Sequence, residues 1–261
     1  MEDVFSQLLP MLNALWWPFV RTLALLTAAP VIGEAVTPVT VRILLALVLS
    51  VVMLPLSSAA GAAAVDPFSL HGVMTTVEQA VIGGVLGLAF HFSMSVIGVL
   101  GYMVSSQMGF SMAVMNDPMN GQSSDVVSAL LSVLAIIVFF AIDGHLVLAN
   151  VVGGSFRAWP LGHGYGPLLL QTVAYNCAWI FSAAMLLAIP IVFSTLVVQL
   201  GFGFLNRVAP SLNLFALGFS VITLFGLMML GQVVRFIPDH YVRMTGQVLE
   251  MIRQQMQVAH G

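Results

Sequence analysis

Six apolar stretches, each near or beyond the length of a bilayer span, leave this chain little choice of fold. They run over about Leu8–Ala29, Ile43–Val65, Val73–Val104, Val126–Val152, Leu168–Leu205 and Leu212–Phe236. A helix needs roughly 20 apolar residues to cross the hydrocarbon layer. Only 7% of the 261 residues are charged, against roughly a quarter in a soluble domain, so water cannot be the main solvent of such helices. The expectation is an all-α, polytopic helical membrane protein. Nothing in the chain reads as a linker, so residues 1–261 form one contiguous unit.

Six clean rods fit imperfectly. The third and fifth stretches are too long for a single perpendicular span. Pro190 lies inside the fifth and is expected to kink or divide it, and Pro18 and Arg21 interrupt the first. Broken or kinked helices, packed on other protein as well as on lipid, are the better expectation. Pro30, Gly33 and Pro38 end the first stretch, Asp66-Pro67 the second, and Trp159-Pro160 the fourth. Ala80, Gly83, Gly84 and Gly87 stand in the small-residue spacing that lets helix backbones approach closely in an apolar medium. After Phe236 the pattern becomes amphipathic. Tyr241, Val248, Leu249, Ile252 and Met256 share one helical face, with Arg243, Glu250, Arg253, Gln254 and Gln257 mostly elsewhere.

Charge and cysteine usage exclude several chemistries. All seven basic residues are Arg, against ten acids, for a net charge of -3. No basic run exists for nucleic acid. Without Lys there is no Schiff base, no lysine-type phosphate loop and no Ser-Lys nucleophile. Cys177 is the single cysteine, so neither an internal disulfide nor a thiolate metal cluster is available. The six His residues lack metal-ligand spacing. No catalytic residue, metal or cofactor is expected. The acidic Met1-Glu2-Asp3 start does not suit a signal peptide, so the first apolar stretch is expected to be retained. Arg235, Arg243 and Arg253 place the C-terminus in the cytoplasm by the positive-inside rule.

Three places carry polar character at membrane depth. Asp143-Gly144-His145 is either a proton pathway or a glycine-broken turn whose side chains bond locally. Asn206-Arg207, followed by Pro210 and Asn213, makes a polar turn between two long apolar segments. There Arg207 either satisfies a partner or snorkels at a helix end. The third place lies between the third and fourth stretches. Met108, Met112, Met115 and Met119 recur at helical spacing, then Asn116-Asp117-Pro118 and Ser123-Ser124-Asp125 turn polar. Irregular polar backbone at that depth must line a cavity or be buried in protein. Methionine is flexible and polarizable, and remakes its contacts easily. The segment reads as a compliant seal or as an ordinary loop. A small-molecule secondary transporter remains the competing functional reading, motivated by Asp143, His145, Arg207 and the broken helices.

With these segments in hand, the chain resembles the flagellar biosynthesis protein FliR family, which includes injectisome subunits of type III secretion. The resemblance covers essentially the whole length. It is carried by Arg21-Thr22 through Ala28-Ala29-Pro30-Val31-Ile32-Gly33, by Val41-Arg42-Ile43 and by Gln107-Met108-Gly109-Phe110 with Asp117-Pro118. Asp143-Gly144-His145 and Asn206 to Phe215 with Gly218-Phe219 complete it. Ser211 and Ser220 stand where the family more often has Gln and Pro.

The resemblance implies a role rather than a reaction. It implies a subunit of an export gate in the bacterial inner membrane, part of the flagellar basal body and protruding toward the periplasm. FliP-like, FliQ-like and FlhB-like subunits would be its partners, and unfolded flagellar proteins its substrates. About 1–165 would correspond to a FliP-like portion and about 166–261 to a FliQ-like one. The pore plug would comprise Met108, Gly109, Phe110, Met112, Met115, Asn116, Asp117, Pro118 and Met119. Arg21, Arg42, Asp143, His145, Arg207, Pro210 and Asn213 would be candidates for subunit contacts.

Overall fold

A computed structural model describes residues 2–34, 37–59, 66–110, 115–116, 123–162, 167–208 and 214–260. Helix dominates, and the apolar stretches become the helices. They are α1 (Glu2–Ala28), α2 (Val39–Ala59), α3 (Leu70–Gln107), α4 (Val126–Ala141), α5 (Gly144–Ala158), α6 (Pro167–Val208), α7 (Leu214–Val233) and α8 (Ile237–His260). A 3-10 turn over Val234–Phe236 joins α7 to α8.

Among the described residues four helical runs are long and apolar enough to cross a membrane: Val39–Ser57, Leu70–Gln107, Val173–Val208 and Gly218–Val258. The broken pair α4–α5 makes a fifth if counted as one span. α1 is a helix but not among them. The central member is α3. In it 61% of the apolar window is buried within the chain, against 17–22% in the other three, which therefore turn most of their apolar surface outward.

α6 continues through Pro190 without being divided there, and α1 continues through Pro10 and Pro18 where the sequence suggested an interruption at Pro18. A helix deep in an apolar environment has no better use for its remaining backbone groups than to keep its own hydrogen bonds, so a lost donor is tolerated there.

The chain forms two compact units, each assembled from separate stretches of sequence. The first contains residues 1–92, 139–176 and 245–261; the second contains 93–138 and 177–244.

In the first unit α1 and α2 form a hairpin. Its turn includes Val31 in the left-handed region (φ 67). Arg42 reaches back from α2 and donates to the carbonyls of Glu34 and Thr37, at 2.6 and 2.9 Å. α3 begins at a small cap: the Asp66 carboxylate accepts from the Phe68 N–H at 3.0 Å, and the Ser69 hydroxyl accepts from the Gly72 N–H at 2.9 Å. The expected small-residue packing is present at two of its glycines. A Cβ on Gly83 would strike the Arg21 carbonyl, and one on Gly87 the Leu25 carbonyl, whereas Gly84 faces open space. The amphipathic face of α8 is as read from the sequence. Tyr241, Val248 and Ile252 are buried while Arg243, Glu250 and Arg253 are exposed.

Candidate functional site

The polar segment between α3 and α4 is where the second unit is built most specifically, and its two ends are anchored by different devices. At the near end α3 stops at Gln107. Met108 follows with its side chain fully buried, and Gly109 takes φ 79, a conformation that an L side chain resists. That turn is seated on one face of α7. The Thr223 hydroxyl donates to the Met108 carbonyl at 3.0 Å. One turn further along α7, Gly226 leaves a notch for the methionine: a Cβ there would lie 2.5 Å from Met108 Cγ and 3.2 Å from its sulfur. One turn earlier Phe219 lies over Gly109, where a Cβ would meet Phe219 Cε2 at 2.6 Å. Phe219, Thr223 and Gly226 are spaced i, i+4, i+7, so they make one stripe.

At the far end Asp125 caps α4. Its carboxylate accepts from the Ser128 N–H at 2.8 Å and from the Ser128 hydroxyl at 2.6 Å. Burial pushes this carboxyl up, but the bonds from Ser128 and from the Val127 N–H outweigh it and hold Asp125 below the usual carboxylate range. The Ser128 hydroxyl also lies 3.2 Å from the Gly98 carbonyl on α3, the longer of the two acceptors for its one proton. At Gly101 the two backbones meet so closely that a Cβ would lie 2.5 Å from Ser128 Cα. Between the anchors the chain doubles back, with Met115 pairing Ser124 and Asn116 pairing Ser123 in a short antiparallel ladder of β1 (Met115–Asn116) and β2 (Ser123–Ser124).

The methionines at helical spacing do not lie on one helix, because the helix ends at Gln107 and Met115 belongs to a strand. Of the proposed plug residues, Met108 is buried, Phe110 is half-buried, and Met115 and Asn116 are placed by their backbone. Met112, Asp117, Pro118 and Met119 lie outside the described residues, as do Pro210 and Asn213.

The remaining candidates separate into two kinds. Arg21 is completely buried in the first unit. Its Nε donates to Gln79 Oε1 at 2.7 Å, one terminal nitrogen to the Ser155 hydroxyl at 3.0 Å, and the other to the Trp159 carbonyl at 2.9 Å. The guanidinium carbon lies 4.1 Å from the centre of the Phe156 ring. Arg42 is the clamp of the α1–α2 turn. Asp143, His145 and Arg207 are exposed instead. Asp143 occupies the break between α4 and α5 at φ 55 and makes no side-chain cap bond, while the His145 ring rests 5.8 Å from that of Phe140. The turn reading of this motif holds; the expected local bond from Asp143 to the cap does not form. Among the described residues no group of three or more His, Cys, Asp or Glu is placed to hold a metal ion.

Residues 12–248 match the family described as "Bacterial export proteins, family 1". The chain belongs to this family. It is 32% identical over 243 residues to the flagellar biosynthetic protein FliR of Pectobacterium carotovorum, covering 91% of this chain and 90% of that protein. Against the FliR of Escherichia coli it is 28% identical over 250 residues, covering 95% and 94%. The surface presentation of antigens protein SpaR of Salmonella typhimurium is 27% identical over 191 residues, 69% of either chain. Membership of an export family fits an extended apolar surface with one locally anchored polar segment better than it fits a solute-binding cavity. Thr223 and Gly226 were not legible as site residues. The available signal was a hydroxyl and a glycine three positions apart on a largely apolar helix that also carries Ser220 and Gln232.

Proposed function

We propose that this chain is a structural and gating subunit of a flagellar type III protein export gate in the bacterial inner membrane. Its segment from about Gln107 to Ser124 plugs the pore. The observation that carries this reading is the anchoring at Met108 and Asp125. The segment is rooted on α7 at Met108 and followed by a cap onto α4 at Asp125, and two such anchored ends support a plug over a passive surface loop.

The partners are FliP-like, FliQ-like and FlhB-like subunits, and unfolded flagellar proteins are the cargo. About 1–165 plays the FliP-like part and about 166–261 the FliQ-like part, with the complex protruding toward the periplasm. The exposed apolar side chains of α6 support a partnered assembly. Phe181, Leu186, Phe193, Leu200 and Phe204 are each more than half exposed and need lipid or protein cover. The exposed Asp143, His145 and Arg207 fit contacts with those partners. The flagellar form is favoured over the injectisome form because the FliR relatives of Pectobacterium carotovorum and Escherichia coli match over 90% and 94% of their length and the SpaR relative over 69%.

The test is an ion-leak assay on cells carrying the assembled apparatus with Met112–Gln122 deleted. A raised leak supports the plug, and an unchanged one removes it. Purification in mild detergent tests the assembly, which a lone monomer would overturn.

A further inference from the structure

The two anchors of the central segment differ in strength, and the difference suggests where motion begins. The α3–α4 contact is backbone against backbone at Gly101 and Ser128, so it cannot part unless a whole helix moves. The seat on α7 is of another kind. It consists of one hydroxyl-to-carbonyl bond from Thr223 and one flexible methionine side chain in the Gly226 notch. Immediately beyond it lies Gly109 at φ 79, where the absence of a Cβ leaves more backbone conformations open than at any other residue type. A single unbranched side chain leaves a notch by rotating about its own bonds, without disturbing either helix.

We propose that Met108 and α7 form a latch. Met108 keyed against Gly226 and tied by Thr223 keeps the root of the central segment closed, and export requires the key to leave the notch. Gly109 is the hinge, and Phe219 lying across it limits the swing. This inference rests on the plug reading and adds to it the element that retains the plug.

A disulfide across the notch tests the latch in the full chain within the assembled apparatus. In a Cys177→Ser background, Met108→Cys is combined with Gly226→Cys. A Cβ at 226 falls 2.5 Å from the Cγ position of residue 108, so the two cysteine side chains are neighbours across the notch and a small shift is needed for the sulfurs to bond. Expected on oxidation are loss of maleimide labelling and at least a tenfold fall in secreted filament protein. Reductant restores both, and each single-cysteine chain ignores the oxidant. The amount of double variant retained in membranes and its co-purification with the apparatus show that it folds, and its own export under reductant is the reference for the oxidised chain. Thiols that stay free after oxidation overturn the geometry, and undiminished export from the bridged chain overturns the latch. Failure of the plug reading shows itself separately, as an unchanged ion leak after deletion of Met112–Gln122, whatever the oxidant does to export.

Discussion

Arg21 and Ser155 stand 134 positions apart in sequence, yet a guanidinium nitrogen of one donates to the hydroxyl of the other at 3.0 Å, inside the first unit and away from water. Through Gln79 and the Trp159 carbonyl the same side chain joins α1, α3 and the end of α5. A charge this deep is tolerated because all three of its nitrogens have partners and an aromatic face lies beside it.

Truncating it leaves those partners unsatisfied. Arg21→Ala is expected to destabilise the chain by about 3–5 kcal/mol. Arg21→Lys keeps the charge but loses the planar fork, so it should recover less than half of the loss. Thermal unfolding in detergent and the amount of chain retained in membranes measure both effects. A lysine variant as stable as the parent would mean that charge alone matters here.

The glycines of α3 give an internal control. Gly83→Ala drives a methyl into the Arg21 carbonyl and should cost about 1–3 kcal/mol. Gly84→Ala meets nothing within 4 Å and should be neutral, or more stable by up to about 1 kcal/mol from helix propensity. Melting temperatures of the two variants should move in different directions; equal shifts would show that propensity, not packing, governs this helix.

Asp125 predicts an acid-sensitive cap. Its carboxyl titrates lower in the folded chain than in the unfolded one, so the bound form is the carboxylate. The stabilisation is complete above the unfolded value of about 3.9, and is lost as pH falls through the lower folded value. Unfolding midpoints of the parent should therefore drop between neutral pH and strong acid more steeply than those of Asp125→Ala. At neutral pH the variant should be weaker by about 1 kcal/mol. Parallel pH profiles for the two would remove the cap from the account.

Arg207, exposed on the last turn of α6, separates folding from assembly. Arg207→Glu should change chain stability by no more than about 0.5 kcal/mol, as surface substitutions do. Co-purification of the export partners should nevertheless fall several-fold if this end of α6 meets them. Unaltered co-purification would leave Arg207 as a snorkelling helix end.

Much of this was present in the order of residues. Long apolar runs with almost no charge admit only helices, and turn residues such as Asp66-Pro67 and Trp159-Pro160 mark where those helices stop, because these effects are local. The alternation on α8 likewise showed which side chains would be buried. The fates of Arg21 and Met108 were not local. Arg21 looked like a candidate for another subunit until three distant acceptors were brought to it. The methionines looked like one stripe until the chain left the helix at Gln107. Thr223 and Gly226 gain their meaning from Met108, which for Thr223 is 115 positions away. Sequence alone determined that this protein would be a set of apolar helices interrupted at a few polar places, since hydrophobicity and backbone hydrogen bonding act residue by residue. Only the tertiary structure decided which buried charge is satisfied and on which helix the segment is seated, because both depend on close contacts between residues remote along the chain.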